Sequence, residues 1–308
     1  MTVKIGTRGS QLAMWQTKWV RKKLLSNFPD IRMEIIVIKT TGDKILDSPL
    51  SRIGDKGLFT RELDIALLKG EIDLAVHSMK DIPTIFDPGL AIGAVTERWD
   101  PRDALISRRG IKLSELPQGA IIATGSLRRK AQLLHFRPDL KIVDIRGNVP
   151  TRLEKFDKSD WDGMILATAG LHRLDLEKRI SEIVSSDILL PAVGQGCFGI
   201  LIRKNDEKII NILKSLDQPE IADAVDAERS MLRKLEGGCQ VPIGALGECT
   251  DKHVHLQGCI ASLDGQRFFR DKITFPREKA LEAGIALADR LTDAGGGEIL
   301  EEIRKSIK

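Results

Sequence analysis

The chain has 308 residues, enough for two or three domains with a sizeable core. Its 48 lysines and arginines barely outnumber its 44 aspartates and glutamates, so the net charge of +4 gives no general affinity for nucleic acid. Tyrosine is absent and only 4% of the residues are aromatic, which argues against stacking on single strands. No apolar run approaches a membrane span, and residues 1–10 lack a signal-peptide pattern. We therefore expect a cytoplasmic protein without nucleic-acid or membrane partners.

Short strands and helices alternate through the first third of the chain. Strands are predicted over residues 3–7, 33–40 and 73–78, and Ser10 is a suitable N-cap for the amphipathic stretch that follows it. A second helix is predicted over residues 57–70, ending at a glycine. This order predicts a largely parallel sheet.

The same alternation restarts after the turn-like segment ERWDPRD at residues 97–103. A helix is predicted over residues 127–136, between strands at residues 104–108, 120–125, 141–147 and 163–170. Two successive α/β units predict two lobes separated by a cleft, with ligand groups at the strand ends.

The last third of the chain has a different pattern. Residues 189–205 are predicted to cross between the lobes, and a helix then runs to Leu235. Three candidate strands and two helical stretches follow, which predicts a small α+β domain with an antiparallel sheet. The expected domains are residues 1–96 with 197–215, residues 97–196, and residues 216–308.

Two short patterns suggest ligands but have simpler interpretations. GQGCFG at residues 194–199 matches the dinucleotide-binding spacing, yet a strand-like stretch follows it where a helix is required, so a glycine-rich hinge is favoured. His253 and His255 could hold a metal, but their alternation is typical of a solvated strand face. No Cys/His cluster indicates zinc, and we expect no metal.

Basic residues follow two of the predicted strands at helix N-termini. Arg8 and Ser10 could bind an anion there, or Ser10 could be a plain cap beside a surface arginine. Ser126 can cap the next such helix, while Arg128 and Arg129 offer paired donors suited to carboxylate or phosphate. Adjacent helical residues point in different directions, so one of the two arginines could be structural.

An acidic residue and a thiol each have more than one interpretation. Asp81 precedes Ile82-Pro83 on a constrained loop, where it could be a general acid, a partner for a cation, or a loop aspartate bound by backbone amides. Cys239, in EGGCQVPIG, could be a small buried residue near a turn or a thiol that carries a group covalently. No His/Asn pattern marks a thiol protease.

Nine segments together resemble one family over nearly the whole chain: TRGSQLAMWQ, TTGDK, DKGLFTREL, HSMKDIP, GSLRRKAQL, RGNVPTRL, ATAGLHRL, LPAVGQG and LEGGCQVPIG. This family is porphobilinogen deaminase, also called hydroxymethylbilane synthase. The resemblance implies an α/β fold of two periplasmic-binding-protein-like lobes with mixed, largely parallel sheets, plus a small C-terminal α+β domain with an antiparallel sheet. It also implies a monomer.

The resemblance implies a transferase of tetrapyrrole (heme) biosynthesis. Such an enzyme joins four porphobilinogen molecules head to tail on a covalently bound dipyrromethane primer, releases ammonia, and hydrolyses the product to linear hydroxymethylbilane. By the same resemblance, Cys239 carries the dipyrromethane cofactor through a thioether. Asp81 corresponds to the catalytic acid, which contacts pyrrole N–H groups and stabilises a cation.

The resemblance assigns the remaining site residues to three groups. The cofactor-binding group comprises Ser78, Lys80, Thr124, Ser126, Arg128, Arg129, Arg146, Gly147 and Gln195. The substrate-binding group comprises Arg8, Ser10, Gln16, Arg146, Arg152 and Arg173. A mobile loop would contain Arg52, Lys56 and Phe59, and Phe59 could pack over the cofactor rings or be a core residue. The chain departs from the common pattern at Arg52, Gly125 and Cys197, where lysine, serine and alanine are usual.

Residue chemistry without the resemblance also fits a non-catalytic, two-lobed anion-binding protein. Asp81 and Cys239 discriminate between the two functions, because a binding protein needs neither a central acid nor a tethering thiol. Nucleic-acid binding would require a basic stripe, against which the small net charge argues.

Overall fold

The computed structural model describes residues 1–44, 57–236 and 241–307. The strands are β1 (Thr2–Thr7), β2 (Arg32–Val37), β3 (Leu74–Ser78), β4 (Leu90–Val95), β5 (Asp103–Ser107), β6 (Ile121–Ala123), β7 (Lys141–Val143), β8 (Gly163–Ala167), β9 (Glu182–Ile183), β10 (Phe198–Arg203), β11 (Ile243–Cys249), β12 (His253–Ala261) and β13 (Phe268–Pro276). The helices are α1 (Gln11–Asn27), α2 (Thr41–Lys44), α3 (Arg61–Leu68), α4 (Leu127–Phe136), α5 (Val149–Lys158), α6 (Thr168–His172), α7 (Glu207–Leu213), α8 (Pro219–Lys234), α9 (Ala280–Leu291) and α10 (Gly297–Ile307).

The first sheet has the strand order β2-β1-β3-β10-β4. Strand β1 pairs in parallel with β2 and β3, whereas β10 is antiparallel to β3 and β4. One face packs against α1 and α7 through residues such as Leu24 and Ile209, and the other packs against α3 through Leu63 and Leu67. Both faces are therefore covered, as expected for an α/β layer.

The second sheet repeats this plan in the order β7-β6-β8-β5-β9. Strand β6 is parallel to β7 and β8, and β5 is antiparallel to β8 and β9. Leu133 of α4 packs in the cluster on one face, and Leu153 and Phe156 of α5 pack in the cluster on the other. The two sheets form the two predicted α/β lobes.

The third sheet is an antiparallel meander, β11-β12-β13. Helices α8, α9 and α10 pack against it around residues such as Met231, Leu256 and Leu287. This unit confirms the predicted α+β domain and, with the two mixed sheets, the predicted fold class. The exact residue boundaries of the domains stay a prediction. Within the described ranges, no helix is long and apolar enough to cross a membrane.

Helix α3 is shorter than the helix predicted over residues 57–70. Gly57 has a φ of +89°, and residues 57–60 form a turn in which the Arg61 amide donates to the Gly57 carbonyl at 2.9 Å. The helix ends before Gly70, whose φ is +72°. The prediction was therefore wrong at the N-terminal end, because Gly57 begins a turn and not the helix.

Two crossings, residues 96–102 and 184–197, connect the lobes and bond to each other. The Trp99 amide donates to the Gly196 carbonyl at 3.2 Å, and the Thr96 amide donates at the same distance to the carbonyl of Phe198, the first residue of β10. Gly196 has a φ of +99°, and a Cβ there would lie 2.3 Å from the Trp99 carbonyl oxygen. Only glycine fits this close approach, and β10, not a helix, follows it, as predicted.

A buried ion pair joins these crossings to the third sheet. Glu228, on α8, is fully buried, and its Oε1 accepts from Arg98 Nη1 at 2.6 Å and from the Gly247 amide at 2.7 Å. Its Oε2 accepts from the Gly194 amide at 2.6 Å. Arg98 Nε also donates to the Gln195 carbonyl at 3.0 Å. One carboxylate thus connects both crossings with the C-terminal unit.

Glu228→Gln should lower the free energy of unfolding by about 3–5 kcal/mol, since it leaves the buried Arg98 without its anion. The amide NH₂ would also face backbone N–H donors at Gly194 or Gly247. Urea unfolding measures the change. As a control, Glu302→Gln removes the exposed partner of Arg267 and should cost less than about 1 kcal/mol. Equal losses in both variants would contradict the role of Glu228.

Candidate active site

The candidate acid follows the central strand of the first sheet. Strand β3 ends at Ser78 and leads into a single 3-10 turn, Met79–Asp81. The Met79 amide donates to the Cys197 carbonyl at 3.0 Å, and the Met79 side chain is buried. Because Met79 fixes the turn against the second crossing, the partly exposed Lys80 and Asp81 are held at the end of the strand. The constrained loop predicted for Asp81 is this turn.

Helix α4 places two arginines in its first turn. Ser126 is the N-cap, as predicted, and its Oγ accepts from the Arg129 amide at 3.5 Å. The Ser126 amide donates to Thr124 Oγ1 at 3.3 Å, which fixes the approach from β6. Arg128 and Arg129 are both 5% exposed. The cap therefore sets the start of the helix from which both guanidinium groups project.

A carboxylate that the sequence analysis missed lies between these arginines. Asp103, the first residue of β5, is fully buried. Its Oδ1 accepts from Arg129 Nη2 at 2.7 Å, and its Oδ2 lies 2.9 Å from Arg128 Nη2. Burial alone would raise the pKa of Asp103, but the two guanidinium charges hold it well below its usual range. Asp103 is therefore ionised at neutral pH.

Each arginine has a second anchor on the backbone. Arg128 Nη1 donates to the Leu190 carbonyl at 2.7 Å, and Arg129 Nη1 donates to the Ile165 carbonyl at 3.0 Å. The planes of both guanidinium groups are therefore fixed by two contacts each.

Gln195 connects this ion cluster to the first sheet. Its Nε2 donates to Asp103 Oδ1 at 2.8 Å and to the Pro101 carbonyl at 2.6 Å, and its Oε1 accepts from Lys80 Nζ at 3.1 Å. Burial lowers the pKa of Lys80 to about 8, and the charge of Arg129 acts in the same direction. Lys80 is thus a cation at neutral pH that loses its proton near pH 8.

A third arginine joins this group from α5. Arg152 Nε donates to the Gly147 carbonyl at 2.7 Å. Gly147 has a φ of +122°, and a Cβ there would lie 2.7 Å from Thr151 Cγ2, so this turn requires glycine. Burial lowers the pKa of Arg152 to about 10, with the charge of Arg129 acting in the same direction and the charge of Asp81 opposing it. Arg146 also acts on Arg152 electrostatically.

The N-terminal corner carries Arg8 and Ser10. Ser10 Oγ accepts from the Ala13 amide at 3.3 Å, which confirms the predicted cap of α1. Arg8 Nε donates to Asp43 Oδ1 at 3.2 Å, and its guanidinium carbon lies 4.1 Å from the centre of the Phe59 ring. Burial opposes ionisation of Asp43, but Arg8 lowers the pKa of this carboxyl overall. Arg8 is therefore already paired.

Two further residues from the sequence analysis have mainly internal contacts. Gln16 is buried and its Nε2 donates to Ser78 Oγ at 2.9 Å, which ties α1 to the end of β3. Arg173 is 4% exposed, donates from Nη2 to the Gly196 carbonyl at 2.6 Å, and lies 4.2 Å from the centre of the Phe198 ring. Burial lowers the pKa of Arg173 to about 10. Arg173 thus contacts the second crossing.

The assigned thiol, Cys239, and two residues of the assigned loop, Arg52 and Lys56, lie outside the described residues. Among the described cysteines, burial raises the thiol pKa of Cys197 to about 12 and that of Cys249 and Cys259 to about 11. These three thiols are protonated at neutral pH and are poor nucleophiles.

The structure therefore brings together one group of functional side chains. Its members, all near the crossings, are Lys80, Asp81, Asp103, Arg128, Arg129, Arg152 and Gln195. Its cations outnumber its carboxylates, so it suits a ligand with several acidic groups. Asp81 adds a carboxylate that can stabilise positive charge on such a ligand.

Several known proteins are similar to this chain in sequence or in backbone structure. Residues 3–211 match the family model described as porphobilinogen deaminase, dipyrromethane cofactor binding domain, and residues 222–293 match its C-terminal domain. Relatives named porphobilinogen deaminase include one from Carboxydothermus hydrogenoformans, 51% identical over 98% of this chain and 97% of its own. Another, from Geotalea uraniireducens, is 49% identical over 98% and 95%. The periplasmic aliphatic sulphonate binding protein SsuA from Escherichia coli aligns with a TM-score of 0.42 at 16% identity, over 76% of this chain and 70% of its own.

The side chain of Lys80 should titrate with a midpoint near pH 8, far below that of an exposed lysine, because burial disfavours its charged form. Below this pH Lys80 carries its positive charge, and above it Lys80 is neutral. The ¹³Cε chemical shift, assigned by comparison with a Lys80→Met variant, reports the midpoint. A midpoint near pH 10 would contradict the proposed environment. The exposed Lys252 supplies the internal reference.

Proposed function

The chain belongs to the porphobilinogen deaminase family, and we propose that it joins four porphobilinogen molecules head to tail, releasing ammonia, and hydrolyses the product to hydroxymethylbilane. It is accordingly a transferase of tetrapyrrole biosynthesis. The observation that carries the residue-level proposal is the buried cationic group around Asp103, with the partly exposed Asp81 beside it.

The site has the chemistry that a dipyrromethane group requires. Each of its pyrrole rings carries an acetate and a propionate, which charged guanidinium and ammonium groups bind well. Arg128, Arg129 and Lys80 would hold these carboxylates, and Asp81 would accept from the pyrrole N–H groups. Within the described part of the chain, Nε of Arg129 is buried without a hydrogen-bond partner, so it remains a donor for such a ligand.

Cys239 is the proposed attachment point. It stands between the end of α8 at Lys234 and the start of β11 at Ile243, directly after two glycines. The raised thiol pKa values of the described cysteines make those residues unsuitable. In the attachment step, a C–S bond replaces the C–N bond of the aminomethyl group of porphobilinogen, and the thiol proton leaves with ammonia.

Asp81 is proposed to stabilise the positive charge that each condensation creates. When ammonia leaves porphobilinogen, its C–N bond breaks and the pyrrole becomes cationic. A carboxylate beside that charge in a water-poor site can lower the barrier by several kcal/mol. When bound, the dipyrromethane supplies the free α-carbon that forms the new C–C bond. A carboxylate oxygen of Asp81 can then accept the proton released at this carbon.

The substrate contacts proposed for three further arginines differ in how well their surroundings support them. Arg152 interacts electrostatically with Asp81 and Arg129, which supports its proposed role in binding a substrate carboxylate. Arg8 is paired with Asp43 and would have to exchange this partner to bind substrate. Arg173 contacts the second crossing, which supports a role in the geometry of the crossing alongside any substrate contact.

Asp81→Asn should lower kcat by about 10²–10⁴-fold, because the amide can neither balance the cation nor accept a proton. The rate of ammonia release per mole of covalently loaded enzyme measures the effect. Asp81→Glu keeps the charge and should retain more activity than Asp81→Asn. Asp160→Asn, at an exposed position, should behave as wild type. Wild-type turnover by a folded Asp81→Asn enzyme would exclude the proposed role.

Intact-protein mass spectrometry should show two linked pyrrole units on the wild-type chain and none on Cys239→Ser. Cys249→Ser, which removes a partly exposed thiol, should keep the added mass. If the wild type arrives without it, incubation with porphobilinogen should restore the mass in the wild type only. Covalent loading of Cys239→Ser would place the attachment on another residue.

A further inference from the structure

We propose that Asp103 is a positioning residue for this reaction, whose carboxylate holds Arg128 and Arg129 directly, and Lys80 through Gln195, in the arrangement that receives the carboxylates of the ligand. This inference rests on the proposed function. Asp103 is fully buried, so it acts through these side chains and does not touch substrate.

Three donors converge on the Asp103 carboxylate. Arg129 Nη2 and Gln195 Nε2 donate to Oδ1 at 2.7 and 2.8 Å, and Arg128 Nη2 lies 2.9 Å from Oδ2. Water cannot replace these contacts at a buried position, and an ion pair there is far less screened than at the surface. The orientation of both guanidinium groups therefore depends on this one anion.

Asp103 also couples parts of the chain that are distant in sequence. It begins β5 in the second sheet, Gln195 lies on the second crossing, and Lys80 lies on the turn after β3 of the first sheet. Because Gln195 donates to Asp103 and accepts from Lys80, a change at Asp103 reaches all three cations at once. Loss of any one of these cations alone would be a smaller disturbance.

In Asp103→Asn the amide keeps one acceptor oxygen, without a charge, for two arginines, so at least one of them retains only its backbone anchor. Arg128 would keep its bond to Leu190 and Arg129 its bond to Ile165, about which each group could rotate. A misplacement of about 1 Å in a positioning group can cost on the order of 10²-fold in rate. An ion pair with a purely structural role would instead affect folding and leave the rate of loaded enzyme unchanged.

The test compares Asp103→Asn, Asp103→Glu and wild type as covalently loaded enzymes, with rates expressed per mole of attached pyrrole. Asp103→Asn should lower kcat/KM on the order of 10²-fold, with a higher KM for porphobilinogen, and Asp103→Glu should recover part of this loss because it keeps the charge. Asp73→Asn is the matched control, since Asp73 accepts from Arg203 Nη2 at 3.0 Å and from the Lys4 amide at 2.8 Å in the first sheet. It should lower Tm without changing kcat or KM.

A second readout does not depend on activity. The charge of Asp103 raises the pKa of Lys80, so the Lys80 titration midpoint should fall below about 8 in Asp103→Asn and stay unchanged in Asp73→Asn. If Asp103→Asn does not fold, Gln195→Met tests the same connection, because it breaks the link to Lys80 and leaves both ion pairs. It should raise KM while Tm stays within a few degrees of wild type.

The proposal is overturned if loaded Asp103→Asn has the kcat and KM of the wild type. If only Gln195→Met folds, wild-type kcat and KM in that variant have the same meaning. Asp103 would then have a purely structural role. Failure of the proposed function looks different. The wild type itself would then neither gain pyrrole mass nor consume porphobilinogen, while the Lys80 midpoint would still report the link to Asp103.

Discussion

The ion pair between Arg98 and Glu228 is the contact on which the arrangement of the three sheets depends. Glu228 pairs with Arg98 and accepts from the backbone amides of Gly194 and Gly247 with two fully buried oxygens. Breaking such a pair leaves a buried charge, which strongly disfavours any rearrangement of the crossings that separates these groups. Arg98 also holds the backbone of Gln195.

Gln195 connects the group of functional side chains around Asp103 with this ion pair. The backbone of Gln195 is fixed by Arg98, and its side chain connects Asp103 with Lys80. Two carboxylates near the same cations then have different tasks because their surroundings differ. Asp103 is covered by two guanidinium groups and balances them, whereas Asp81 is partly exposed on a turn and can face a ligand. This division follows from burial and not from residue type.

Local features of this fold could be predicted from sequence because neighbouring residues determine them. Ser10 and Ser126 cap their helices as expected, since a serine before an amphipathic stretch satisfies exposed amides wherever the helix packs. The crossing glycines and the three C-terminal strands were also predicted. The helix predicted for α3 was too long at its N-terminal end, because the sequence alone does not reveal that Gly57 has a positive φ.

The electrostatic partners could not be predicted in the same way. Asp103 stands in a turn-like DPRD sequence, and only the packing of β5 beneath α4 makes it a buried counter-ion. Glu228 likewise appears as one charged residue of an amphipathic helix until three donors from distant segments meet it. In a sequence, such a residue can be recognised as a carboxylate at a position that the helix or strand pattern places in the interior. A buried carboxylate requires a cationic partner.

A crystal structure of the covalently loaded enzyme would show directly which residues hold the dipyrromethane group. We expect a two-ring group joined to Cys239 Sγ, with its carboxylates on Arg128, Arg129 or Lys80 and its pyrrole N–H groups at the Asp81 carboxylate. The Asp103 contacts to both arginines should persist. A two-ring group attached elsewhere, or one whose carboxylates avoid these cations while Asp81 faces solvent, would contradict this expectation.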